Sequence, residues 1–246
     1  MTRISRVALP LAGLIAVAAL AVGCAGSPAA TSPTSSSAPG QSTAPAPAPG
    51  GDDDFEAAWL DDGRMFAVVT MGSSTCIPQV DEITASGQQV TISLADADTD
   101  AVCTADYAPR ASVGAFPEGI DPTKDVELIV TYDGVTDDAD LDGAPELTGV
   151  PGSSTEFTPS AGWFDDESLV LLTWGSSSCP PVVESVEGSG ATGTVTFAAD
   201  EEGKQCTMDM APRATIVAFT DDQVEDDGFQ LTLAGANIDA TIRVRG

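Results

Sequence analysis

The chain has no histidine, and that absence removes more function classes than any residue present could add. Without imidazole there is no Ser-His-Asp or Cys-His nucleophile system, no histidine acid or base, and no usual zinc site. Basic residues are scarce too, with nine Lys and Arg against 38 Asp and Glu and a formal charge of −29. Arg3 and Arg6 belong to a leader, so seven basic residues and a charge of −31 remain once it is removed. Such a surface repels phosphate backbones and anionic headgroups, which argues against nucleic acid as a partner. It attracts cations and basic partners, although a solvated face that keeps a secreted protein soluble in salt is the plainer account. Aromatic residues make up 5% of a chain that is 42% apolar, so its cores must be built from Val, Leu, Ile and Ala. Sustained helical periodicity is missing from the whole mature chain.

What is present is a duplication. The first copy, from Gly72 to Phe116, reads GSSTCIPQV and then CTADYAPRASVGAF; the second, from Gly175 to Phe219, reads GSSSCPPVV and then CTMDMAPRATIVAF. Cys76 and Cys179 are 103 positions apart, as are Cys103 and Cys206, and each copy separates its two cysteines by 27. Identical spacing makes Cys76–Cys103 and Cys179–Cys206 the simplest pairing, suited to an oxidising extracytoplasmic compartment. Each bridge closes a loop of about 28 residues, worth about 3.5 kcal/mol by chain entropy. No CxxC or low-pKa thiolate is signalled, so the expected role is structural.

The chain opens with a cationic MTRISR and an apolar run from Val7 to Gly23 interrupted by Pro10 and Gly13. This reads as a secretory signal, residues 1–23. Ala21 and Gly23 before Cys24 are similar to a bacterial lipobox, in which the cysteine is acylated and becomes the first residue. The usual Leu three places before the cysteine is replaced by Ala21, with Leu20 one place early; ordinary cleavage beside an incidental cysteine is the competing reading. From Ala25 to Gly50 every residue is Ala, Gly, Ser, Thr, Pro or Gln, which cannot form a core, so residues 24–54 read as a disordered tether. Such a tether reaches roughly 30 to 80 Å between its coil and extended limits.

Two β domains follow, 55–143 and 160–246, with a linker at 144–159. Trp59-Leu60, a turn at Asp61-Asp62-Gly63, and Met65 to Met71 predict a hairpin whose second strand is apolar on both faces. Pro78–Ile83, Val90–Leu94, Ala111–Phe116 and Val126–Tyr132 predict further strands, with Val126, Leu128, Val130 and Tyr132 on one face. SLVLLTW, Gly193–Phe197 and the series Phe229, Leu231, Leu233 repeat this set in the second copy. The expected fold is all-β: two tandem homologous β-sandwich-like domains or small barrels, each with one internal disulfide.

Four features compete for a functional reading. D-x-x-A-P-R places Arg110 and Arg213 in equivalent positions, either as anion clamps or tied to a neighbouring carboxylate such as their own Asp106 and Asp209. Trp174 replaces Met71 and either stacks on a sugar or caps a core. Asp138-x-Asp140-x-Asp142-Gly143 opens like an EF-hand, but the twelfth position is Gly149 rather than Glu. The duplication instead aligns ADLDG with IRVRG, making both a final alternating strand with Asp140 and Asp142 where the second copy has Arg243 and Arg245. Those opposite edges are expected to attract each other, between domains or between molecules. Asp96, Asp98 and Asp100 read as a solvated loop, with weak divalent-cation binding as the sharper alternative. Candidate binding residues are therefore Arg110, Arg213 and Trp174, with no catalytic residue, cofactor or metal ligand assigned.

The leader, the Ser/Thr/Pro tether and the GSSxCxP…CTxDxxPR repeats together resemble a family of uncharacterised actinobacterial cell-envelope lipoproteins. The resemblance covers nearly the whole chain and implies location and a β-rich ectodomain, with no activity to carry over. The expectation is a non-enzymatic lipoprotein, acylated at Cys24 and held at the outer face of the cytoplasmic membrane, its ectodomain binding a cell-wall or protein partner or acting structurally. A carboxylate-dependent glycan hydrolase and a Ca²⁺-binding surface module are the alternatives.

Overall fold

Period-two alternation decides which runs become strands, because one face of each must meet a core. The computed structural model describes residues 55–97, 101–199, 203–220 and 224–246; the leader, Cys24, the tether, Asp98, Asp100 and Glu201 lie outside the described residues. The first repeat runs β1 (Glu56–Leu60), β2 (Met65–Gly72), β3 (Pro78–Ser86), β4 (Gln89–Asp96), β5 (Ala108–Ala115), β6 (Val126–Tyr132) and β7 (Val135–Leu141). The second runs β8 (Ser160–Trp163), β9 (Ser168–Gly175), β10 (Val183–Ser189), β11 (Thr192–Phe197), β12 (Ala211–Ala218), β13 (Gln230–Ala234) and β14 (Ala240–Arg245).

The repeats share one topology. In the first, a sheet of order β1-β2-β5 faces a sheet of order β3-β4-β6-β7. In the second, β8-β9-β12 faces β10-β11-β13-β14 in the same order. Strands β4 and β6 are parallel, as are β11 and β13; a parallel pair needs a crossover, and here the crossover strand lies in the opposite sheet. One difference separates the copies. β14 pairs in parallel with β8 through Val244↔Ala161 and Arg245↔Gly162, which closes one edge of the second sandwich. In the first copy the Trp59 indole N–H donates to the Asp142 carbonyl at 2.8 Å at the corresponding corner. The equivalent Trp163 Nε1 is buried without a partner.

Three cores result. Phe66, Val68, Ile92, Leu128 and Val130 fill the first sandwich; Leu169, Leu171, Val195, Leu231 and Leu233 fill the second. The third lies between them. Ala58, Leu60, Met65, Ala67 and Val69 on the outer face of β1-β2 meet Val170 and Leu172 of β9, with Ile216 of β12 packed alongside. Strand β2 is therefore buried on both faces, Phe66 and Val68 toward one core and Ala67 and Val69 toward the other. That is the physical reason FAVVTM does not alternate.

Residues 144–159 carry no strand yet are packed down. Ala144 and Leu147 are buried in the first core. Gly149 N–H donates to Asp62 O at 2.9 Å and Gly152 N–H to Phe116 O at 3.0 Å. Among the described residues no helix is long and apolar enough to cross a membrane.

Candidate functional site

The GSS segment leaves β2 or β9, and the cysteine that follows must meet a partner just before β5 or β12. Cys76–Cys103 and Cys179–Cys206 are both bridged, with Cα separations of 5.5 and 5.6 Å. Hydroxyls tie the two loops together beside each bridge. In the first copy Ser73 and Thr104 hydroxyls lie 2.9 Å apart, and Thr104 N–H donates to Thr75 Oγ1 at 3.1 Å. In the second, Ser176 and Thr207 hydroxyls lie 2.8 Å apart, and Thr207 N–H donates to Ser178 Oγ at 3.0 Å.

The motif aspartates complete these knots. Ser74 N–H donates to Asp106 at 3.3 Å, and Ser177 N–H to Asp209 at 3.2 Å. The Thr104 hydroxyl, then Ser74, hold the Asp106 carboxyl at about 2. The Thr207 hydroxyl, then Ser177, hold Asp209 at about 2 as well. Hydrogen bonds to the ionised form are what lower a carboxyl in the open.

This corrects the expectation for the arginines. Each motif aspartate caps the GSS turn rather than pairing with the arginine four residues on, and no carboxylate ion pair involves Arg110 among the described residues. Arg110, opposite Thr70 across the strands, is 8% exposed. Its Nε donates to Thr70 Oγ1 at 3.1 Å, NH1 to the Cys76 carbonyl, and NH2 to Tyr132 Oη at 3.1 Å. The guanidinium also sits 5.5 Å from the Tyr132 ring centroid. Arg213, opposite Thr173, donates to the Cys179 carbonyl at 3.1 Å and to the Trp174 carbonyl at 2.7 Å. Both arginines therefore brace the loop that carries the first cysteine of each bridge. A Cβ on Gly72 would come within 2.6 Å of the Arg110 guanidinium, and one on Gly175 within 2.9 Å of Arg213. The glycine that opens each GSS motif thus leaves room for the guanidinium where it lies, and a side chain there would have to push it aside.

The copies then diverge. In the first, Tyr132 Oη donates onward to Asp96 at 2.7 Å, and burial followed by the Asp96 carboxylate pushes the tyrosine hydroxyl up. The chain Arg110–Tyr132–Asp96 walls a cavity of about 460 Å³ beside the disulfide. At the same offset of 103, the second copy has Gly235 for Tyr132 and Ala199 for Asp96, so this polar chain belongs to the first repeat alone. Asp96 is thereby engaged in the wall, while Asp98 and Asp100 of the suggested cation loop lie outside the described residues. No group of three His, Cys, Asp or Glu able to hold a metal is found among the described residues.

Trp174 caps a core rather than standing free. It packs against the inter-repeat core, meets Phe157 edge-on with centroids 5.1 Å apart, and its indole N–H donates to the Thr158 carbonyl at 3.2 Å. Of the expected attraction between the Asp140/Asp142 and Arg243/Arg245 edges, the form within one chain is corrected. Arg245 meets Asp62 at 3.4 Å and Glu146 at 3.9 Å, and Arg243 forms no ion pair among the described residues. The Asp138–Asp142 run is strand β7 and its exit, not a calcium loop. Sequence reasoning missed Tyr132 as a site residue. Its signal was the contrast with Gly235 at the same offset.

No family model, curated protein or solved structure matches this chain. Its own geometry must therefore carry the functional argument.

Proposed function

We propose that this is a lipid-anchored cell-envelope protein, acylated at Cys24, whose two-repeat ectodomain binds a cell-wall or protein partner without catalysing a reaction. The observation that carries the reading is the pair of disulfides, each locked by the same hydroxyl–aspartate knot. Bridges of this kind persist where thiols are oxidised, and the leader and tether supply a route out of the cytoplasm and a fixed reach. At the cavity walled by Arg110, Tyr132 and Asp96, the arginine donates to Thr70, the Cys76 carbonyl and Tyr132, and the tyrosine to Asp96, which supports a fixed wall rather than a group free to move a proton.

Metabolic labelling with an alkyne fatty acid is expected to mark the full chain and to miss Cys24→Ser. Label that persists in that variant, or no label at all, overturns the anchor. A hydrolase would release reducing sugar from purified wall glycans. None is expected, and release above that of a heat-inactivated control would overturn the non-enzymatic reading.

A further inference from the structure

A second cavity, of about 360 Å³, opens at the junction between the repeats. Asp61, Asp62 and Arg64, from the turn after β1, form one wall. Arg243 and Arg245 of β14 form another, and Glu146 and Glu156 reach it from the segment between the repeats. Three of the seven basic residues outside the leader thus converge on one small space in a chain of formal charge −29. A solvated acidic surface gives no reason for that concentration.

Some of these charges are matched. Arg245 pairs with Asp62 and Glu146 across the repeats, and Arg64 NH1 lies 3.8 Å from Asp61 Oδ1. Others are not. Arg243 and Glu156 form no ion pair among the described residues. Asp61, with a side chain 2% exposed, leaves Oδ2 without a hydrogen bond of good geometry; burial pushes its carboxyl up, against the opposing pull of Thr155 and Arg64, and the buried Arg64 Nε has no partner. A buried acceptor or donor left unanswered is unfavourable, so native proteins keep few of them. Both of these atoms belong to residues that line this one cavity.

We infer that the junction cavity binds a small zwitterion, an amino acid or short peptide, with its ammonium directed to Glu156 and its carboxylate to Arg243, the two exposed charges of the lining that lack an ion pair among the described residues. The inference rests on the binding reading above and names a ligand class for it. A doubly charged anion is disfavoured by four carboxylates set against three guanidiniums, and a bare cation by the guanidiniums themselves. A neutral sugar leaves charges of both signs unanswered. The volume lies at the small end of ligand sites, which run from about 300 to 1,000 Å³.

The test is calorimetric titration of the full chain, purified in mild detergent, with L-alanyl-L-alanine, its N-acetyl form, its amide and cellobiose. Saturable binding of the free dipeptide is expected, at least about tenfold weaker when either end is capped, and absent for cellobiose. Arg243→Gln and Glu156→Gln, both at exposed side chains, should each weaken the dipeptide by about tenfold or more while leaving the melting temperature unchanged. No saturation by about 10 mM, equal binding of a capped peptide or of cellobiose, or indifference of both variants overturns the assignment. Wall fragments retained on the immobilised chain but not displaced by the dipeptide would sink the zwitterion alone. Retention of nothing, by fragments or dipeptide, would sink the binding reading with it.

Discussion

Asp106 and Asp209 show how a fully exposed carboxylate acquires a structural role. Their carboxyls sit at about 2 in the folded chain, below the ordinary aspartate value, so the folded state holds fewer protons than the unfolded one. The knots are therefore at full strength above about pH 4 and loosen as pH falls toward about 2. The Ser74 and Ser177 amide resonances should titrate with that low midpoint, and a midpoint at the ordinary value would contradict the capping role. The two tryptophans offer a matched comparison. Trp59 Nε1 has a partner in Asp142 O and Trp163 Nε1 has none. Trp59→Phe should cost about 1 kcal/mol more than Trp163→Phe in denaturant unfolding, because only the first substitution removes a made hydrogen bond. Equal losses would mean that packing alone decides both.

Among the elements, β8 is constrained by its neighbour in the other repeat. A Cβ on Gly162 would lie 2.3 Å from the Trp59 carbonyl oxygen and 3.1 Å from its nitrogen. Backbone cannot swing aside as a side-chain tip can, so Gly162→Ala must separate β1 from β8 or distort both. A loss of about 1 to 3 kcal/mol is expected, read as a lowered denaturation midpoint. Midpoints within error of the parent would show that the strands separate freely. Strand β7 illustrates the opposite constraint. Among the described residues it pairs only with β6, and it carries Asp137, Asp138 and Asp140 at the end of its sheet, where charge discourages pairing with another chain. Burial and the surrounding carboxylates, Asp138 foremost, push Asp140 up.

For the whole molecule, the inter-repeat core matters most. Either repeat expressed alone would expose the face that now buries Leu60, Ala67, Val69, Val170 and Leu172. Such a contiguous apolar face favours association. Residues 55–159 alone should therefore elute from size exclusion as dimers or larger, and Val69→Asp should restore a monomer. A monomeric isolated repeat would show that the third core is dispensable. Each disulfide should contribute about 3.5 kcal/mol. Replacing Cys76 and Cys103 by Ser should lower the denaturation midpoint about as much as replacing Cys179 and Cys206, since their loops are equal in length.

The strands, the duplicated topology and both bridges were legible in the sequence because each depends on local alternation or on spacing that recurs at 103. Even the doubly buried β2 announced itself, since FAVVTM has no polar face to give to water. The partners of the charged groups were not legible. Sequence alone leaves Arg110 between an anion clamp and a neighbouring carboxylate such as Asp106, but β5 turns its guanidinium inward to Tyr132, 22 positions later. The meeting of Arg245 with Asp62 spans 183 positions and depends on how two sandwiches stack. Periodicity encodes which face of a strand is buried. Only the tertiary arrangement decided which buried faces met, and therefore that two charged walls, far apart in the chain, enclose one cavity.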